Sequence, residues 1–304
     1  MTDRPLRLGT RRSPLAMAQA EEARYRLCAA HQGLTVEIVP VLASGDKIQD
    51  RPLAEIGGKA LWTKELDAWL LAGEIDLAVH SAKDVETLRP AQIAIAAVLP
   101  RADVRDVLVG VDSLEALPPG GRIGTSAPRR AAQALHFRPD CQIVSFRGNV
   151  ATRLGKLAAG EADATLLAAA GLDRLGQSAV GTALDPQVWL PAPGQGCIAI
   201  ECRADDAVTA GLLAAIDHPA SHAALRAERA LLAALGGNCH SPIAALTELH
   251  GDQLLLHAAL FSPDGAERVA ASLHFPVGDP AGPAELARLL LDQASPNIRQ
   301  HFEG

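Results

Sequence analysis

The chain is poor in aromatic residues: one Tyr, three Trp and five Phe, 3% of 304 positions. Proteins that read single-stranded nucleic acid stack bases on such rings, so their scarcity argues against that class. Positive charge is not in excess. Lys and Arg number 28 against 35 Asp and Glu, a formal net charge of −7, which gives no basic field for a phosphate backbone. No apolar run approaches the roughly 18 residues of a membrane-spanning helix; the longest, such as residues 164–170, suit buried strands. The opening MTDRPLRLGT has no apolar core of a secretory signal. The five cysteines, Cys28, Cys141, Cys197, Cys202 and Cys239, include no C-x-x-C pair. An odd count without a leader does not read as a disulfide framework, and no structural zinc site is expected. These absences point to a soluble cytoplasmic protein with no metal, no nucleic-acid partner and no membrane.

What is present is a chain long enough for two or three domains, 48% hydrophobic. Ser13-Pro14 reads as a cap and first position of a helix running to Ala30. Residues 36–42, 76–80, 93–99, 107–109, 122–124, 142–146 and 164–170 read as strands. Helices are expected over 61–71, 149–159 and from 172. Strands alternating with helices imply mainly parallel α/β sheets, with ligands beyond the carboxyl ends of the strands. Residues 44–59 form a long polar stretch with Gly45, Gly57 and Gly58, a segment either disordered or functional. The tail differs. A helix over 222–235 ends at Gly236-Gly237. Segments 254–261 and 268–275, with Pro263-Asp264-Gly265 between them, then predict a small antiparallel sheet, and a last helix covers 284–292.

Most candidate functional residues fall at expected strand ends. Arg11, Arg129, Arg130, Arg147, Arg153 and Arg174, with Lys83, recur at equivalent places of the α/β units in a net acidic protein. Guanidinium forks grip carboxylates, so the set reads as a site for a polyanionic small molecule. Taken singly, each is better read as a solvated or salt-bridged surface charge. Asp84, after His80-Ser81-Ala82-Lys83, is a carboxylate that can hold a cation or move a proton, or equally a helix cap. His80 reads as a packing residue. Cys239, on the tight Gly236-Gly237-Asn238 loop, is the thiol placed for chemistry; the other four cysteines read as core. The run 190–196, with two prolines and two glycines, reads as a stiff hinge from which Gln195 can reach a ligand.

Together these segments resemble the hydroxymethylbilane synthase (porphobilinogen deaminase) family along nearly the whole chain. The matching stretches are Thr10-Arg11-Arg12-Ser13-Pro14-Leu15-Ala16, Gly57-Gly58-Lys59, His80-Ser81-Ala82-Lys83-Asp84-Val85, Gly124-Thr125-Ser126, Arg129-Arg130, Arg147-Gly148-Asn149-Val150, Thr152-Arg153, Ala169-Ala170-Gly171-Leu172, Gly194-Gln195-Gly196 and Cys239. The resemblance implies two periplasmic-binding-protein-like α/β lobes with mixed, mainly parallel sheets, and a small α+β C-terminal domain with an antiparallel sheet. It places domain 1 at 1–98 with 196–216, domain 2 at 99–195 and domain 3 at 217–304. The implied activity joins four porphobilinogen molecules, with loss of ammonia, on a covalent dipyrromethane, and water then releases hydroxymethylbilane. Cys239 matches the attachment site through a thioether, and Asp84 the catalytic carboxylate. Ser13, Lys83, Asp84, Thr125, Arg129, Arg130, Arg147 and Gly148 match cofactor contacts. Arg11, Arg147, Arg153, Arg174, Gln195 and Lys59 match substrate contacts. A monomer is implied. This chain has Ser126-Ala127-Pro128 where the family often has two serines and a leucine, and Asn238 where Gly is common. The rivals are a non-catalytic two-lobed carboxylate-binding protein, which leaves Cys239 unexplained, and a thiol hydrolase, which requires Cys239 to be free.

Overall fold

The computed structural model describes residues 4–41, 63–238 and 240–302. The chain divides into two compact units, Met1–Ala102 with Cys197–His222, and Asp103–Gly196 with Ala223–Gly304.

The first unit is built on five strands: β1 (Leu6–Arg11), β2 (Val36–Val41), β3 (Leu77–Ser81), β4 (Ile93–Val98) and β10 (Ile198–Arg203). Their order is β2-β1-β3-β10-β4. β1 runs parallel to β2 and β3, and β10 is antiparallel to β3 and β4. Alternate residues of β3 feed different cores. Leu77 and Val79 pack with Leu8, Leu27, Ile198 and Ile200. Ala78 packs with Leu66, Leu70 and Ile75. A sheet covered on both faces needs such continuous apolar strands. Helix α1 (Pro14–Ala30) starts on Ser13, whose Oγ accepts from the Ala16 amide at 3.3 Å. Helix α2 (Lys64–Leu71) is shorter than the expected span, whose first residues, 61 and 62, lie outside the described ones.

The second unit holds β5 (Asp106–Val109), β6 (Arg122–Gly124), β7 (Gln142–Val144), β8 (Ala164–Ala168) and β9 (Thr182–Ala183), in the order β7-β6-β8-β5-β9. Here β5 is the antiparallel member, while β6 pairs in parallel with β7 and β8. The two sheets thus share one plan, with a single reversed strand in fourth place. Helices α3 (Pro128–Phe137), α4 (Val150–Ala158) and α5 (Ala169–Arg174) accompany this sheet. α5 begins earlier than residue 172, because β8 stops at Ala168 and the Ala169 amide turns to the Arg105 carbonyl. The chain then runs through β10 and α6 (Ala207–Ala214) to α7 (Pro219–Ala234).

The tail forms β11 (Ile243–His250), β12 (Gln253–Phe261) and β13 (Arg268–Pro276), an antiparallel meander, with α8 (Ala281–Gln293) and α9 (Pro296–Arg299). One face packs Leu254, Leu256 and Leu260 on Leu231 of α7 and Leu286 and Leu290 of α8. The other sets Ala244, Leu246 and Phe261 on Ala132 of α3. The fold is therefore the expected α/β class, two mixed and mainly parallel sheets plus an α+β tail. Strands β9, β10 and β11 and helices α6 and α9 go beyond the sequence reading. Cys28 is a correction: it is exposed on α1, while Cys141, Cys197 and Cys202 are buried as expected. α1 is alanine-rich and presents only Gln19, Ala20, Ala23 and Leu27 to the core, which leaves Cys28 on its outer side. Among the described residues no helix is long and apolar enough to cross a membrane.

Candidate active site

In the first unit the parallel register of β1 and β3, Leu8 opposite Leu77 and Gly9 opposite Ala78, sets their carboxyl ends side by side. Arg11 ends β1, Ser13 caps the helix that follows, and Asp84 ends a single 3-10 turn after β3. All three line one pocket with Gln19, His80 and Ser81. The turn is fixed because the Ala82 amide donates to the Cys197 carbonyl at 3.0 Å and the Val85 amide to Ala82 at 3.2 Å. Asp84 is thus half-buried on a braced backbone and is not a helix cap. Lys83, in the same turn, is also half-buried. Gln19 donates to Ser81 Oγ at 2.8 Å, a pairing with no signal in the sequence.

A buried charge network backs this pocket. Glu201 on β10 is fully buried and accepts from Arg89 Nε and Nη2, both at 2.8 Å. Arg89 also grips Asp67 of α2. His80 Nε2 lies 3.3 Å from Glu201 Oε2, at ion-pair distance but without hydrogen-bond alignment. Burial works to raise the Glu201 carboxyl; His80 and Arg89 outweigh it and hold it at about 2. His80 is buried beside a carboxylate partner of which the sequence shows no sign.

In the second unit the parallel strands β6, β7 and β8 again deliver polar groups beyond their carboxyl ends. Thr125 follows β6; it is buried, and its Oγ1 accepts from the Ala127 amide at 3.2 Å. Pro128 takes the first helical position of α3, which is where a residue without an N–H is tolerated. Arg129 and Arg130 follow, each 5% exposed. Both bind Asp106, Arg129 Nη2 at 2.7 Å and Arg130 Nη2 at 2.6 Å. Their Nη1 groups donate to the carbonyls of Leu190 and Leu166, both at 2.9 Å. Gln195 is fully buried and donates to Asp106 at 2.8 Å and to the Val104 carbonyl at 2.7 Å. Asp106 was not singled out in the sequence; a lone acid opening an apolar strand was its one signal.

Beyond β7 comes Arg147, then Gly148 at φ +105°, then Asn149, which caps α4 by accepting from the Thr152 amide at 2.9 Å. A Cβ on Gly148 would stand 2.7 Å from Thr152 Cγ2, so this turn demands glycine. Arg153 Nε donates back to the Gly148 carbonyl at 3.1 Å, and Arg174 Nη2 donates to the Gly196 carbonyl at 3.2 Å. Arg147 Nη1 and Arg130 Nε are buried with no hydrogen-bond partner. A buried guanidinium nitrogen left unpaired is costly, and a ligand carboxylate is the group that satisfies it. The donor set of this unit therefore fits an acidic ligand such as a dipyrromethane. Lys59 and Cys239 lie outside the described residues. Asn238, on the near side of Cys239, accepts from the His240 amide at 2.8 Å through its own side chain.

Residues 6–211 match the family model for the porphobilinogen deaminase dipyromethane cofactor binding domain, and residues 223–290 that for the porphobilinogen deaminase C-terminal domain. The chain belongs to the porphobilinogen deaminase family. The porphobilinogen deaminase of Sphingopyxis alaskensis is 59% identical, covering 99% of this chain and 97% of that protein. That of Paracoccus denitrificans is 52% identical, covering 91% and 90%. Among solved structures, a Bordetella pertussis BvgS VFT2 domain is only weakly similar, at a TM-score of 0.40 and 16% identity over 70% of this chain and 85% of that one. As a porphobilinogen deaminase family member the chain is a transferase, and its cofactor is dipyrromethane.

Proposed function

We propose that the chain is a hydroxymethylbilane synthase whose half-buried Asp84 carboxylate does the chemistry and whose arginines hold acidic side chains. The activity rests on family membership over nearly the whole chain. One structural observation carries the residue roles: guanidinium nitrogens of Arg147 and Arg130 are buried without partners, in a unit whose strand ends gather polar groups.

When bound through Cys239, the dipyrromethane supplies the pyrrole on which the product is extended. Arg129, Arg130 and Arg147, with Ser13, Lys83, Thr125 and the close backbone of Gly148, would hold its carboxylates. Arg11, Arg153, Arg174 and Lys59 would take those of incoming porphobilinogen, whereas Gln195 spends both amide N–H groups on Asp106 and the Val104 carbonyl. Asp84 stabilises the positive charge that develops as ammonia leaves, and accepts or returns a pyrrole N–H proton at its carboxylate oxygens. Its rigid 3-10 turn supplies the preorganisation that such stabilisation needs. In this reading residues 1–98 with 196–216, 99–195 and 217–304 act as three functional domains, the last carrying the attachment cysteine. The enzyme works as a cytoplasmic monomer on a small molecule, with no nucleic-acid or membrane partner; the net charge of −7 supports the exclusion of nucleic acid.

The test is Asp84→Ala. It should fold normally, keep its bound primer and lose about 100-fold or more in porphobilinogen turnover, the range of one positioned acid–base group. Wild-type turnover would end the assignment. The two-lobed carboxylate-binding alternative predicts ligand binding with no turnover in either protein.

A further inference from the structure

Asp106 opens β5 with its side chain fully buried, and at least four donors from three stretches of chain converge on it. Arg130 Nη2 and Gln195 Nε2 reach Oδ1 at 2.6 and 2.8 Å. Arg129 Nη2 and Trp189 Nε1 reach Oδ2 at 2.7 and 2.9 Å. We propose that Asp106 is the positioning residue of the carboxylate-binding arginines, fixing Arg129 and Arg130 so that their remaining N–H groups face a ligand.

Three observations support this. First, each guanidinium is held at two points, one on Asp106 and one on a main-chain carbonyl, so its plane cannot turn. A guanidinium has five N–H groups, and these bonds engage only two nitrogens of each. Second, one carboxylate against two guanidiniums leaves a net positive charge in a buried place. Burial lowers the proton affinity of Arg129, Asp106 restores part of it and Arg130 lowers it again. An anionic ligand would complete the balance. Third, Arg130 Nε is buried and lacks a partner. The inference rests on the reading above that these arginines bind the dipyrromethane carboxylates.

The experiment compares primer occupancy, by intact mass under denaturing conditions, in wild type, Asp106→Glu, Asp106→Asn and Trp189→Phe, with folding followed by circular dichroism. Asp106→Glu keeps the charge but displaces both guanidiniums. Asp106→Asn leaves one guanidinium without its anion. Trp189→Phe removes a donor to the same oxygen and leaves both arginine bonds in place. Folded Asp106 variants should be isolated largely without the primer, because displaced guanidiniums no longer hold its carboxylates while it is assembled, while Trp189→Phe stays loaded. A folded Asp106 variant with wild-type occupancy overturns the proposal. So does Trp189→Phe losing occupancy in step with it, which would reduce Asp106 to packing. If Asp106→Asn does not fold, Asp106→Glu decides. A wild-type chain with no adduct, even after incubation with porphobilinogen, would sink the function reading itself, and this inference with it.

Discussion

Replacing Glu201 by Gln should destabilise the first unit. Glu201 is fully buried and bound by Arg89 through both of its oxygens, with His80 3.3 Å away. Its carboxyl is held at about 2 instead of the ordinary 4.5. That displacement corresponds to about 3 kcal/mol at neutral pH, taking 1.36 kcal/mol for each tenfold change in proton affinity. Because the folded value is the lower one, this stability is fully present above 4.5 and drains away as the pH falls toward 2. The Gln variant has nothing to titrate there. At pH 7 it should be less stable by about 3 kcal/mol, a fall in melting temperature on the order of 5–10 °C for a domain of this size. Between pH 4.5 and 3 its stability should change less than that of the wild type. Urea and thermal unfolding at pH 7, 4.5 and 3 measure both effects. A variant within about 0.5 kcal/mol of wild type at pH 7, with the same acid profile, would refute the account of the network.

Two further variants test the second unit. Arg147→Met should not destabilise the cofactor-free protein beyond about 0.5 kcal/mol, because it removes a buried nitrogen that has no partner. The same variant should lower primer occupancy or raise the KM for porphobilinogen; unchanged values of both would reduce Arg147 to a structural residue. Gly148→Ala should cost about 1–3 kcal/mol, since φ is +105° and the new methyl meets Thr152; a melting temperature equal to wild type would contradict this.

The strand ends that carry the site were legible because parallel α/β strands announce themselves as short apolar runs and their helices as caps. Ser13 before Pro14 and Asn149 before Val150 are local signals, and both cap as expected. Strands β10 and β11 were harder to see. Ile198–Arg203 follows a run of prolines and glycines that dominates the local pattern, and Ile243–His250 begins directly after Pro242. The acids behind the site carried no local signal of their partners. Asp106 stands 23 and 24 residues from its arginines, and Glu201 stands 112 from Arg89. Such pairings exist only once the sheets have formed. Arginine placement alone therefore pointed to an anionic ligand without revealing that two of the guanidiniums also neutralise a carboxylate of the protein.

The central claim is that Cys239 carries a dipyrromethane built from the enzyme's own substrate. Intact mass of the purified wild type and of Cys239→Ser, before and after incubation with porphobilinogen, tests it most directly. A wild-type mass above the bare chain by two condensed pyrrole units, absent from Cys239→Ser, is the predicted result. A bare wild-type mass that porphobilinogen does not change would contradict the account.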